Sequence, residues 1–203
     1  MEHIFKQGTN PHRPTLLFLH GTGGNETDLL PIAQMVDSES AVLSLRGDVL
    51  ENGMPRFFKR LAEGVFDEED LVMRTKILND NLDLWAQKYR FNRHNMVAIG
   101  YSNGANMIAS LLFHFKNSLK GAILHHPIVP LRGVDPPALT TDVFIGAGTN
   151  DPICSSEESK ELRGILERAG ASVEVHWESN GHRLTPSEIE AACHWYKKYF
   201  TKI

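Results

Sequence analysis

The sequence predicts one α/β domain built on a doubly wound, mostly parallel sheet, and three observations carry that expectation. Apolar runs of strand length alternate with segments of helical spacing along the chain. Several runs are nearly continuous and do not alternate with polar residues, as expected when helices cover both faces of a parallel sheet. The length, 203 residues, suits a single domain (1–203) with a sizeable core, and no repeat or low-complexity segment marks a second one.

Taken in order, strands are expected at 14–19, 41–45, 94–99, 119–125, 142–147 and 172–177. Helices are expected at 28–37, 73–90, 103–116, 156–169 and 186–199. Thr15-Leu16-Leu17-Phe18-Leu19 is a plain apolar run, and it enters the glycine-rich Gly21-Thr22-Gly23-Gly24 before the first helix. Ala105 to Phe115 carries apolar residues at helical spacing. The last helix has the clearest local start: Thr185 as cap, Pro186 in the first helical position and Glu188 in the first turn, with Lys197 and Lys198 at its end. Asp67-Glu68-Glu69-Asp70 reads as a solvated helix cap or loop.

One stretch breaks the alternation. From Arg46 to about Leu71, the residues Gly47, Gly53, Pro55 and Gly64 interrupt any period, and the segment exceeds ordinary connections. We take 46–72 as a candidate lid or substrate loop. Its Phe57, Phe58, Leu61, Val65 and Phe66 either line a substrate groove or patch the core over a sheet edge, and the residues leave the two open. The link from 126 to 141 contains Pro127, Pro130, Pro136 and Pro137, so it cannot hold a long helix and leaves no room for a large cap domain.

Composition narrows the function. A net charge of −4, with no concentration of Lys and Arg, gives no case for nucleic acid. Runs such as Met107–Phe115 are far too short to span a bilayer, so no membrane role is expected. Met1-Glu2-His3-Ile4-Phe5-Lys6 lacks the pattern of a signal peptide, which points to the cytoplasm and to Cys154 and Cys193 as free thiols.

The chemistry centres on Gly100-Tyr101-Ser102-Asn103-Gly104. A Gly-x-Ser-x-Gly placed after a strand and before a helix holds its serine on a sharp turn, with the hydroxyl raised above the sheet edge. Such a serine needs a histidine base and an acid that orients it, in the chain order Ser, acid, His. Asp151 follows the carboxyl end of the 142–147 strand, on the edge that carries Ser102. Asp142 opens that strand at the far edge, roughly 20 Å away at about 3.3 Å per residue, and Asp135 lies in a Pro-rich loop. His182 leaves the 172–177 strand through Glu178-Ser179-Asn180-Gly181 and reaches the same edge. His176 sits within that strand and His194 within the last helix. His125 and His126 end another strand and border the site, but no Cys, Asp or Glu cluster completes a zinc set in the sequence, so no metal is expected. Two N–H donors should face the oxyanion: that of Asn103, and that of Thr22 in the turn after the first strand.

Leu19-His20-Gly21-Thr22-Gly23-Gly24, the pentapeptide around Ser102, Asp151-Pro152 and Gly181-His182-Arg183-Leu184-Thr185 together resemble the phospholipase/carboxylesterase family of α/β-hydrolases, in particular its small bacterial carboxylesterases. The resemblance covers essentially the whole chain. It implies an α/β-hydrolase fold, Ser102, Asp151 and His182 as the catalytic triad, oxyanion donors at Thr22 and Asn103, no cofactor, and commonly a homodimer. The thioesterase branch typically has His-Gly-x-Gly-Asp, whereas Gly24 stands in place of that Asp here. A small-molecule ester of short to medium acyl chain is therefore expected, ahead of a thioester or lysophospholipid and ahead of a catalytically silent ligand receptor. Candidate substrate contacts are His20, Phe57, Phe58, Leu61 and Phe66, with the two adjacent phenylalanines as the expected blocks to longer chains.

Overall fold

The structure, a computed structural model, describes residues 1–201. Its centre is a seven-stranded sheet in the order β1-β3-β2-β8-β9-β10-β11. The strands are β1 (His3–Lys6), β2 (Thr15–Leu19), β3 (Val42–Leu45), β8 (Met96–Tyr101), β9 (Gly121–His125), β10 (Asp142–Gly148) and β11 (Ser172–Glu178). All neighbours are parallel except β1, which pairs antiparallel with β3. β1 was not expected: four half-exposed residues at a sheet edge show no apolar period to read.

The continuous apolar strands split cleanly between two cores. Leu17, Leu19, Leu43, Leu45, Ala98, Leu124 and Ile145 face one side. There they meet α2 (Glu68–Tyr89), α3 (Asn103–His114) and α4 (Ser156–Arg168). Leu16, Phe18, Val42, Val97, Ile99, Ile123 and Phe144 face the other, against α1 (Leu30–Val36) and α5 (Pro186–Phe200). Successive strand residues point to opposite faces, so a strand covered on both sides must be apolar at every position. Among the described residues no helix is long and apolar enough to cross a membrane.

Capping chemistry sets two helix starts. The Thr185 hydroxyl accepts the Glu188 N–H ahead of α5, as its sequence predicts. Asp67 caps α2 by accepting the Asp70 N–H, with three acids in the first turn. The acidic cluster is thus a helix start, and α2 begins at Glu68, earlier than the expected position 73.

The segment 46–72 is more ordered than a plain loop. It holds two hairpins, β4 (Val49–Glu51) with β5 (Met54–Arg56) and β6 (Arg60–Ala62) with β7 (Val65–Phe66), and then the first turn of α2. Asn52 and Gly53 join the first pair with φ of 51° and 80°. Positive φ at both positions is what a two-residue hairpin turn of right-handed twist requires, and Asn-Gly supplies it.

Candidate active site

The carboxyl ends of five parallel strands converge on one cleft, the usual place for ligands in open α/β sheets. Thr22 comes from the turn after β2, Ser102 from the end of β8, His126 from the end of β9, Asp151 from the turn after β10 and His182 from the turn after β11.

Ser102 sits between β8 and α3 with φ 51° and ψ −112°, a conformation rarely tolerated by a residue with a Cβ. Its N–H donates to the His125 carbonyl at 2.8 Å, anchoring the turn to β9. The turn is tight enough to need glycine at position 104, where a Cβ would lie 2.1 Å from the Leu19 carbonyl oxygen of β2. That oxygen belongs to a central strand and cannot move aside.

The Ser102 Oγ lies 2.9 Å from His182 Nε2, and His182 Nδ1 lies 2.8 Å from Asp151 Oδ2. With the Ser102 hydroxyl donating to Nε2, the proton of His182 sits on Nδ1 and is given to Asp151. The other Asp151 oxygen accepts the N–H groups of Ile153 at 2.8 Å and Cys154 at 2.9 Å. Burial pushes the Asp151 carboxyl up, but the Cys154 N–H, His182 and the Ile153 N–H outweigh it and hold the group below its ordinary range. Tyr101 donates its hydroxyl to the His182 carbonyl at 2.7 Å, which pins the loop that carries this histidine. The structure thus brings together the three residues that the sequence placed at this edge.

The rivals lie elsewhere. Asp142 opens β10 at the opposite edge, in register with Ser172. His176 and His194 border an open depression of about 670 Å³ between β11 and α5, to which Ser102, Asp151 and His182 do not contribute. Cys154 is close to the site but buried, its thiol donating to the His126 carbonyl. Burial and the nearby Asp151 push that thiol up, away from the reactive thiolate.

The expected oxyanion donors, Thr22 and Asn103, both border the cleft beside Ser102. Among the described residues neither backbone N–H has a protein acceptor. The Asn103 side chain is engaged elsewhere, its Oδ1 accepting the Phe57 N–H at 2.8 Å.

The expected substrate contacts divide. Phe66 borders the cleft. Phe57 and Phe58 do not: both are fully buried in the core beneath α3, because Phe57 is tied to Asn103 and its ring packs 4.8 Å from that of His20. Of the two readings of this pair, core patch and groove wall, the first holds. Leu61 stands 74% exposed on β6 and is not part of the cleft wall. His20 is buried and satisfied internally, accepting the Gly47 N–H at Nε2 and donating from Nδ1 to the Gly21 carbonyl, so it holds the glycine-rich turn after β2 against the 46–72 segment. Burial accordingly lowers its pKa.

Sequence reasoning missed Arg56, Arg60, Asn106, Ile128 and Ile153, which complete the cleft wall. The Arg56 guanidinium is buried and donates to the Thr22 hydroxyl at 2.6 Å and to the Phe58 carbonyl at 3.2 Å. The signal that could have found it is the Asn52-Gly53 turn, whose strand partner β5 ends in Arg56. Asn106, one helical turn after Ser102, accepts the Ile128 N–H at 2.7 Å and so fixes the loop after β9.

His126, Asp151 and His182 each bring one nitrogen or oxygen to within 4.8 Å of the others, a spacing that could suit a metal ion. Here the two imidazoles are joined by hydrogen bonds through Asp151 Oδ2.

Comparison with known proteins places the chain. The sequence pattern of the Dienelactone hydrolase family matches residues 51–196. The chain belongs to this family. It is 56% identical over 199 residues, 98% of either chain, to "Putative hydrolase MhqD" of Bacillus subtilis (strain 168). Among solved structures it superposes on the Bacillus cereus carboxylesterase with a TM-score of 0.97 at 64% identity, covering 98% of this chain and 95% of that one. YahD, solved with malic acid, gives 0.92 at 34% identity over 97% and 98% of the two chains. The α/β-hydrolase fold expected from the motifs is therefore the fold of this chain, and the chain is a hydrolase of the small bacterial type that those motifs resemble.

Proposed function

We propose that this protein hydrolyses small carboxylic esters through an acyl-serine intermediate at Ser102. The observation that carries the reading is the continuous hydrogen-bond chain from Ser102 through His182 to Asp151 at the carboxyl edge of the sheet. In the first half-reaction Ser102 Oγ bonds to the acyl carbon while His182 Nε2 takes the hydroxyl proton. The carbon–oxygen bond to the alcohol then breaks, and the alcohol leaves with that proton. Water repeats the sequence in the second half-reaction, releasing the acid and restoring Ser102. Asp151 holds the His182 tautomer that can accept the proton. The N–H groups of Thr22 and Asn103 face the negative charge on the carbonyl oxygen, a contribution worth about 10²- to 10³-fold per donor. The 64% identity to a carboxylesterase supports the same reading.

Cleft size and charge refine the substrate. The cavity beside Ser102 is about 40 Å³ and is bordered by Phe66, Ile128 and Ile153, which favours short acyl groups over lipid chains. Arg56 and Arg60 border it, and Glu51 pairs with both, leaving one net positive charge. That charge, with the malic acid seen in YahD, favours acyl groups that carry a carboxylate a few bonds from the scissile carbonyl.

A panel of p-nitrophenyl esters tests this. Acetyl and butyryl esters are expected to exceed the palmitoyl ester by at least about tenfold in kcat/KM, the scale of a few misplaced methylenes. The Phe66→Ala/Ile153→Ala variant should move the optimum to longer chains. Monosuccinyl esters should lose more than butyryl esters on Arg60→Gln. A wild-type preference for palmitoyl would contradict this account of the cleft.

A further inference from the structure

Behind the triad lies a buried chain of ionisable groups that ester hydrolysis by three residues does not call for. Asp151 Oδ2, which accepts from His182, also faces His126 Nδ1 at 2.9 Å. The other nitrogen of the same ring, Nε2, is 3.0 Å from Glu188 Oε2. The second Glu188 oxygen meets His125 Nδ1. Glu188, His126 and His125 are each 0–1% exposed, so water screens none of these contacts.

The fold makes room for this. Glu188 projects from the first turn of α5 over β10 at Gly146, where a Cβ would lie 1.9 Å from its Oε1. His126 has φ 53°, and its N–H donates to the Gly146 carbonyl at 2.7 Å, which turns its ring beneath Asp151. A strained backbone and a cleared strand position serve one arrangement: an imidazole held between two carboxylates.

We propose that His126 is a permanent imidazolium and acts as a positioning residue, holding Asp151 as the ionised acceptor of the His182 Nδ1 proton. The proposal rests on the ester-hydrolase reading of Ser102. Two buried carboxylates bridged by a neutral ring would leave one of them facing a bare nitrogen lone pair, and one would be driven to protonate. With both ring nitrogens protonated, each carboxylate receives a charge-assisted hydrogen bond and the cluster carries one net negative charge. That charge falls to zero when His182 takes the serine proton. Burial pulls His126 down, but Glu188 and then Asp151 outweigh it, and the pKa is raised. Burial raises Glu188 too, yet His125 and His126 bring it down to about 2.

The groups facing His126 come from every element around it. They are Asp151 and Cys154 from the turn after β10, Glu188 from α5, His125 from β9, Tyr101 with its ring 6.0 Å away at the end of β8, and His182 with its ring 5.1 Å away. Among the described residues only His126 stands between the two acids, and it does not itself face the cleft.

His126→Asn tests the charge, since asparagine tolerates the left-handed backbone and keeps a donor for Asp151. The acid limb of kcat/KM should move to higher pH by about one unit, because a nearby cation no longer opposes protonation of the base. In His126→Asn/Glu188→Gln, which removes one charge of each sign, the limb should return toward the wild-type position. A limb that stays put in His126→Asn, whatever the plateau, overturns the proposal. If the variants do not fold, ¹⁵N-histidine NMR of the unaltered protein decides independently of activity. Both ring nitrogens of His126 should be protonated from pH 6 to 8, and a bare nitrogen at pH 7 overturns the proposal. Absence of any ester turnover would instead count against the hydrolase reading and leave the NMR result standing.

Discussion

Ser102→Ala is expected to lower ester turnover by about 10⁵- to 10⁶-fold, the scale on which loss of a triad serine acts. Its Oγ is the one hydroxyl on His182 Nε2, so nothing adjacent can replace it as the nucleophile. Cys154 does not substitute, because it is buried and its thiol is pushed up. Alanine loses only one part-buried hydrogen bond, so Tm should stay within about 3 °C of the parent. Residual activity of a few per cent in a purified, folded variant would contradict the assignment.

His182→Ala should cost about as much as Ser102→Ala, and Asp151→Asn about 10⁴-fold. The geometry says why the asparagine is so damaging. The Ile153 and Cys154 N–H groups already require an acceptor, so the amide oxygen turns toward them and the amide nitrogen toward His182 and His126. A donor facing His182 Nδ1 forces the proton onto Nε2, the atom that takes the serine proton in the proposed mechanism. Ser102→Ala/Asp151→Asn should be no slower than Ser102→Ala alone, since the groups act as a unit. Near-normal turnover in His182→Ala, with loss in His176→Ala, would move the base to β11.

The three residues of the site were legible in the sequence because each ends a strand of one parallel sheet. Strand polarity alone then puts Ser102, Asp151 and His182 on a common edge, and separates them from Asp142. The pocket was less legible. Phe57 and Phe58 look like groove residues in an irregular segment, but a backbone bond to Asn103 carries them under α3. The short strands of 46–72 are two or three residues each, below the length at which a period shows. The pairing of His126 with Glu188 spans 62 positions and depends on α5 crossing β10 at Gly146. No local pattern encodes that contact.

Reaction with a fluorophosphonate most directly tests whether Ser102 is the nucleophile. The intact protein should gain the mass of one phosphonyl group, peptide mapping should place it on Ser102, and esterase activity should fall in step with labelling. His182→Ala should label far more slowly, because the serine would have lost the base that activates it. Label on Cys154 with Ser102 unmodified, or full labelling with activity retained, would contradict the mechanism.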